Sequence, residues 1–465
     1  NSYYNIVNHG TMTINDGVTV EQSGGYSSLI ENGWYNGNSN TQKIESVMTI
    51  YGGSFSGGLN TIKNDDYGNL TINGGSFSNV AQSAILNWNV SEINGGTFEV
   101  RQSDYPVILN GYINDSMDKG QLTINAGTFD GNGSDAIRTM GGAKNIGSIE
   151  INGGTFTGDF EIANGTNGTG SVVISGATIN GSINNTSNST VSISNTKVTG
   201  AVKGAIIGSN VTVGEGSEGN IEAVASVNGV PYPNLQEAIN AAQSGTTKTV
   251  TLLKDVSVSA AGLGNTKGAI TITEDIILDG NGKEITITGV TGEASTRPSA
   301  INIQSGADVT LKNLDVDSNG AKHGLNINGA GTVNLEDVEI MNSAWYAIVC
   351  NSSKLTVNGL YTHNNQWGVN VDKGSTATFT SANITETYSV VVGESETTKT
   401  EVNFNGGTYN TIQVKVSNTD INFNRGTFKN IEVISGKTPD ISVQGGTFTT
   451  AVASSYVDTD YVAYN

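Results

Sequence analysis

The sequence predicts an all-β fold, a β-solenoid in two segments, and three observations lead there. One phrase recurs: MTIYGGSFSG (48–57), LTINGGSFSN (70–79), SEINGGTFEV (91–100), LTINAGTFDG (122–131) and IEINGGTFTG (149–158), then VNFNGGTYN (402–410), INFNRGTFKN (421–430) and ISVQGGTFTT (441–450). Its aromatic advances by 22, 21, 31 and 27 residues through Phe55, Phe77, Phe98, Phe129 and Phe156, and by 19 and 20 through Tyr409, Phe428 and Phe448. A period near 20 that tolerates insertions is what stacked coils of short strands produce. Finally, the 465 residues include 61 Gly but only 5 Pro, which excludes collagen, and a Val/Ile/Thr/Asn bias suits short strands joined by tight turns.

Within the phrase, Ile or Val alternates with polar residues, as a half-buried strand requires. The Gly-Gly that follows lets the chain bend sharply, since glycine takes positive φ without strain. The aromatic after the bend is expected to point inward and stack on its equivalent one coil away. Asn73, Asn94, Asn125 and Asn152 fall in register and are expected to hydrogen-bond as a ladder.

The second half repeats the logic in other words: SAINIQSG (299–306), HGLNINGA (323–330), YAIVCNSS (346–353), WGVNVDKG (367–374) and SVVVGESE (389–396). The first inward positions are Ile301, Leu325, Ile348, Val369 and Val390, and the next are Ile303, Ile327, Cys350, Val371 and Val392. Cys350, the single cysteine, therefore reads as a small buried hydrophobe in an aliphatic column, and an intrachain disulfide is impossible. Between the halves, polar and glycine-rich text breaks the period. Leu235, Ala238, Ile239 and Ala242 then keep helical spacing, which predicts a short amphipathic helix near 234–243 lying across the end of a solenoid. The domain boundary is placed there: 1–224 as the N-terminal solenoid and 225–465 as the C-terminal one.

The run LQEAINAA…TVTLLKDV…ITITEDIILDGNGKEITI, starting at Leu235, resembles the opening of the pectate-lyase-like right-handed parallel β-helix superfamily, whose capping helix precedes the first coils. VNGVPYPNLQEAI (227–239) is similar to stretches of cell-surface repeat proteins of Gram-positive, often intestinal, bacteria. The resemblance implies a right-handed parallel β-helix and an extracellular, cell-surface setting, with the chain a fragment of a longer secreted or wall-anchored protein or a mature form. It implies no activity by itself.

Composition narrows the partners. A net charge of −20 with four arginines (Arg101, Arg138, Arg297, Arg425) argues against nucleic acid, which needs a basic surface. No run of 18 apolar residues exists to insert into a membrane.

Enzymes of the resembled superfamily cleave acidic polysaccharides. Polygalacturonase-like members carry Asn-Thr-Asp, Asp-Asp, Gly-His-Gly and Arg-x-Lys in chain order. Here KHG (322–324) precedes NTD (418–420), and the one Asp-Asp pair, Asp65–Asp66, lies in the other half. Arg297 and Arg425 are too many coils apart to serve one lyase site. No catalytic residue is assigned. DVDSNG (315–320) matches the opening of a calcium loop, which makes Asp315, Asp317 and Asn319 candidate Ca2+ ligands, but the twelfth position is Asn326 instead of a glutamate. A polar turn between coils is the first reading of that stretch. His9, His323 and His363 do not cluster in sequence, so zinc is not expected.

The stronger signal is aromatic. One position before the small residue that opens each strand of the second half stand His323, Tyr346, Trp367 and Tyr388, with Trp345 alongside. At about 4.8 Å per coil they would form a stripe about 14 Å long, either a ladder for sugar rings or an internal stack at a corner. In the first half, loops of unequal length leave one corner, each with an aromatic: Trp34 and Tyr35, Tyr67, Trp88, and Tyr112. Insertions gathered on one face are where repeat proteins bind partners. The function expected is an adhesin or binding module that holds a glycan or mucin-like glycoprotein through these rings. A polysaccharide-degrading enzyme and a passive stalk are the alternatives.

Overall fold

The computed structural model describes residues 3–35, 39–101, 104–111, 120–140, 147–162, 170–304 and 306–461. The chain is a parallel β-solenoid of about 18 turns, with one short helix between two parallel-sheet segments. It divides into two compact units, Asn1–Ala223 with Gly229–Pro231, and Val224–Asn228 with Tyr232–Asn465.

Each coil of the first unit contributes three short strands to three parallel sheets. On one sheet Ile30–Asn32, Ile62–Asn64, Ile85–Asn87 and Ile108–Asn110 pair in strict register. The next carries the Ile-containing part of the phrase, with Ile50, Ile72, Ile93 and Ile124 aligned. The third carries the aromatics, and Phe55, Phe77, Phe98, Phe129 and Phe156 stack with ring centroids 4.6–5.0 Å apart and planes within 9°. That separation is the coil spacing itself, so the column is a direct consequence of in-register parallel pairing. The glycine before each aromatic is required. At Gly96, φ is +111°, and a Cβ would sit 3.0 Å from the Gly75 carbonyl oxygen and 3.3 Å from the Phe98 ring.

The expected asparagine ladder forms at the surface: Asn94 donates to Asn73 (3.0 Å), Asn125 to Asn94 (2.7 Å) and Asn152 to Asn125 (3.0 Å). A second ladder, not singled out from the sequence, runs inside the corner that follows each Ile-x-Asn strand. Asn8, Asn32, Asn64, Asn87 and Asn110 are each at most 4 % exposed and link head to tail at 2.7–2.9 Å. Their amides also reach backbone carbonyls of the neighbouring strand, Asn64 to Val90 at 2.8 Å and Asn87 to Gln121 at 3.0 Å. Buried amides with every donor used fix the point where the loops depart.

In the second unit, longer strands bend round the coil. Ile301, Leu325, Ile348, Val369, Val390 and Ile412 form one inward column, and Ile303, Ile327, Cys350, Val371, Val392 and Val414 the next. Cys350 is fully buried in that column, as its place in the sequence implies. Phe379, Phe404 and Phe423 add a second aromatic column beside Tyr409 and Phe428. The helix Leu235–Ser244 buries Leu235, Ala238, Ile239 and Ala242 into this core, and Asn234 caps it by accepting from the Gln236 and Glu237 backbone N–H groups. No helix among the described residues is long and apolar enough to cross a membrane.

Candidate functional site

The small residue opening each second-unit strand sits at a tight inner corner. A Cβ on Gly368 would approach the Ile384 side chain to 2.6 Å, so nothing larger fits there. The residue before it is thereby turned to the outer face, and this places His323, Tyr346, Trp367 and Tyr388 outside the main core. Tyr346, Val349 and Val391 form a separate apolar cluster, against which Trp345, Trp367 and Tyr388 pack half-buried. Tyr346 and Trp367 occupy the same register position on adjacent coils, their rings 4.9 Å apart. His323 lies 6.0 Å from Tyr346 and 5.9 Å from Trp345, and the Lys322 ammonium sits 4.7 Å above the Trp345 ring. The five residues thus converge on one patch of the outer face. They are less exposed than a flat stripe of rings would be.

Beneath them runs the outward row Asn302, Asn326, Val349, Asn370, Val391 and Gln413. Asn370 is 4 % exposed and its side-chain N–H donors meet no partner; the same holds for Nδ1 of His323, which is 8 % exposed. Burial, reinforced by Lys322, lowers the His323 pKa to about 3, so the ring is neutral. Burial, then Glu394 and Asp372, raises the Tyr346 phenol to about 12. The patch is therefore an apolar, aromatic surface with buried, unpartnered polar atoms beneath it.

On another outer face, Glu284, Asp315, Glu339, Tyr361 and Asn383 share one register position on successive coils. Burial and the neighbouring carboxylates Glu339, Glu284 and Asp255 raise the Asp315 pKa. His363 pairs with Glu339 at 2.8 Å and stacks on Tyr361. The other two candidate calcium ligands are occupied in a turn. Asp317 accepts from the Asn319 backbone N–H (2.9 Å) and from Asn342 (2.8 Å), while the Asn319 amide donates to the Ile287 carbonyl (2.9 Å). Asn326 is on a strand and donates to Asn302. Among the described residues no group of three or more His, Cys, Asp or Glu side chains is arranged to hold a metal.

Of the first-unit loop aromatics singled out from the sequence, Trp34 stacks on His9 of the preceding coil at 4.1 Å, Tyr67 is half-buried with φ of +62°, and Tyr35 is exposed, at 73 %. Tyr112 lies outside the described residues. Trp88 and Tyr35 flank the ammonium of Lys63, 4.4 and 4.9 Å from the ring centroids. Lys63 pairs with Asp65 and aligns with Glu31 one coil away; the three are 7 %, 0 % and 2 % exposed. This buried charged group was not picked out from the sequence. The signal was there, in the middle residue of each three-residue Ile-x-Asn strand, which faces outward under the loops.

Comparison with protein-family models, with curated proteins and with solved structures returns no match to this chain.

Proposed function

We propose that this chain is a non-enzymatic, extracellular binding module of a bacterial surface protein, built on a pectate-lyase-like right-handed β-helix and recognising a glycan or mucin-like glycoprotein. The observation that supports it is the second-unit cluster, in which Trp345, Trp367 and Tyr388 stay half-exposed outside the main core. Aromatic rings gathered on one outer patch offer a partner a contiguous apolar contact. Sugar rings present C–H faces that pack on such aromatics.

The row of carboxylates through Asp315 and Glu339, with His363 beside it, supports polysaccharide cleavage as a second reading, since glycoside hydrolysis uses two carboxyl groups. One assay separates the two. The intact chain and a Trp345→Ala/Trp367→Ala variant are applied to a broad glycan and mucin panel, and cleavage products are followed in the same wells. Binding that the still-folded variant loses is the expected result. Products from both proteins would favour the enzyme, and neither binding nor products would leave a passive stalk.

A further inference from the structure

The buried group at the first-unit corner carries a chemistry of its own. Lys63 projects from the middle of the strand Ile62–Asn64, and Asp65 follows two residues later on the same side. Their side chains touch, ammonium to Oδ2, with almost no solvent access to either. Glu31, the register partner of Lys63 on the neighbouring coil, lies within electrostatic reach of both but beyond ion-pair distance of the ammonium, and receives hydrogen bonds from the Tyr4 hydroxyl and the Tyr35 backbone N–H. Its Oε1 is buried with no partner. Two carboxyl groups and one ammonium are thus shut under Tyr35 and Trp88. Taking an ion pair out of water is costly, and an extra carboxylate beside it increases the cost.

We propose that Lys63 and Asp65 condense to an intramolecular amide cross-link, with Glu31 as the proton relay. The lysine ammonium passes a proton to the Asp65 carboxylate, leaving a neutral amine against a neutral acid. Nζ then attacks Cγ; the Nζ–Cγ bond forms, the Cγ–Oδ2 bond breaks, and Oδ2 departs as water. Glu31 takes the second nitrogen proton and returns a proton to the leaving hydroxyl, so it is regenerated and no other reagent is needed. Oδ1 already accepts the Asp66 backbone N–H at 2.9 Å, a donor placed on the oxygen that carries charge in the tetrahedral intermediate. Burial and Asp65 raise the Glu31 pKa, and burial raises that of Asp65 despite Lys63, so both carboxyls hold protons more readily than exposed ones. A site that excludes water favours condensation over hydrolysis. The product replaces two buried charges by one neutral amide.

Mass spectrometry of the intact chain tests this directly. The expected mass is that of the sequence less one water. The loss should map to the peptide spanning Lys63 and Asp65, trypsin should fail to cut after Lys63, and Lys63 should escape acylation in denaturant. Glu31→Gln, which keeps shape and removes the relay, should restore the full mass, the tryptic cut and the acylation. An unmodified wild-type mass would overturn the cross-link. So would a water loss that leaves Lys63 cleavable and acylated, because Asp65 would then have cyclised onto its own backbone. A cross-link that persists undiminished in Glu31→Gln would overturn the role given to Glu31.

Discussion

His323 shows how a single side chain can be read two ways from sequence and one way from structure. As the first member of an aromatic series it fits either a surface ladder or an internal stack at a corner. In place it is 8 % exposed, with its Nδ1 unpaired and Lys322 nearby. Its pKa falls from 6.5 to about 3 on folding, so below pH 6.5 the unfolded chain binds a proton that the folded chain does not. Stability from this residue is therefore complete above pH 6.5 and is lost as pH falls from there towards 3. Between pH 7.5 and 4.5 the loss amounts to about 2–3 kcal/mol, at roughly 1.4 kcal/mol per pH unit below 6.5. Urea unfolding of wild type and His323→Gln at pH 7.5, 6 and 4.5 checks it. Carboxylates titrate in both proteins, so the difference between them isolates the histidine. Wild type should lose that much more than the variant by pH 4.5; equal losses would mean that the imidazole is wetter than its surroundings imply.

The helix Leu235–Ser244 does more than cover apolar surface. The strand Gly268–Ile272 pairs with Ser299–Gln304 on one side, and on its other side two helix glutamines act as surrogate strand. Gln236 accepts from the Thr271 N–H and donates to its carbonyl, both at 2.9 Å, and Gln243 accepts from the N–H groups of Thr273 (2.7 Å) and Glu274 (3.0 Å). A free sheet edge invites unwanted pairing, and these side chains close it without another coil. Gln236→Ala should cost about 1–2 kcal/mol, since both groups of one residue lose partners in a partly buried place. Glu237→Gln, on the exposed first turn, should cost only about 0.3 kcal/mol through the helix dipole. Hydrogen exchange gives the specific readout: the Thr271 amide should exchange faster in Gln236→Ala while Thr273 keeps its protection from Gln243. Unchanged exchange at Thr271 would show that the edge is held by something other than the helix.

Most of the architecture was legible because a parallel solenoid writes itself into the chain with short periods. The inward columns follow from two-residue alternation, the Phe55–Phe156 stack from the twenty-residue repeat, and the helix from the spacing of Leu235, Ala238, Ile239 and Ala242. Less could be read on the outside. Glu31 and Lys63 look like ordinary outward polar residues, and they are buried by what lies over them: the rings of Tyr35 and Trp88, and loops that pair by backbone hydrogen bonding at Trp34 and Asp66. Nor does any period say how deeply Tyr346 or Trp367 lies against Val349 and Val391. Long-range consequences follow from the same construction. Contacts in a stacked-coil protein run between neighbouring coils, so stability is a sum of local terms within each continuous core. The first unit has one such core, from Ile14 to Ala205, and the second has another, from Ala225 to Val443, with no residue in common. Calorimetry of the intact chain should therefore resolve two transitions. Phe129 and Phe404 are both fully buried and stacked on two neighbours, and truncating either to alanine should remove about 3–5 kcal/mol. Phe129→Ala should lower one transition and leave the other in place, and Phe404→Ala should do the reverse. If either variant moved the whole profile together, the cores would be energetically one, and the sum of local terms would have to be replaced by a single cooperative unit.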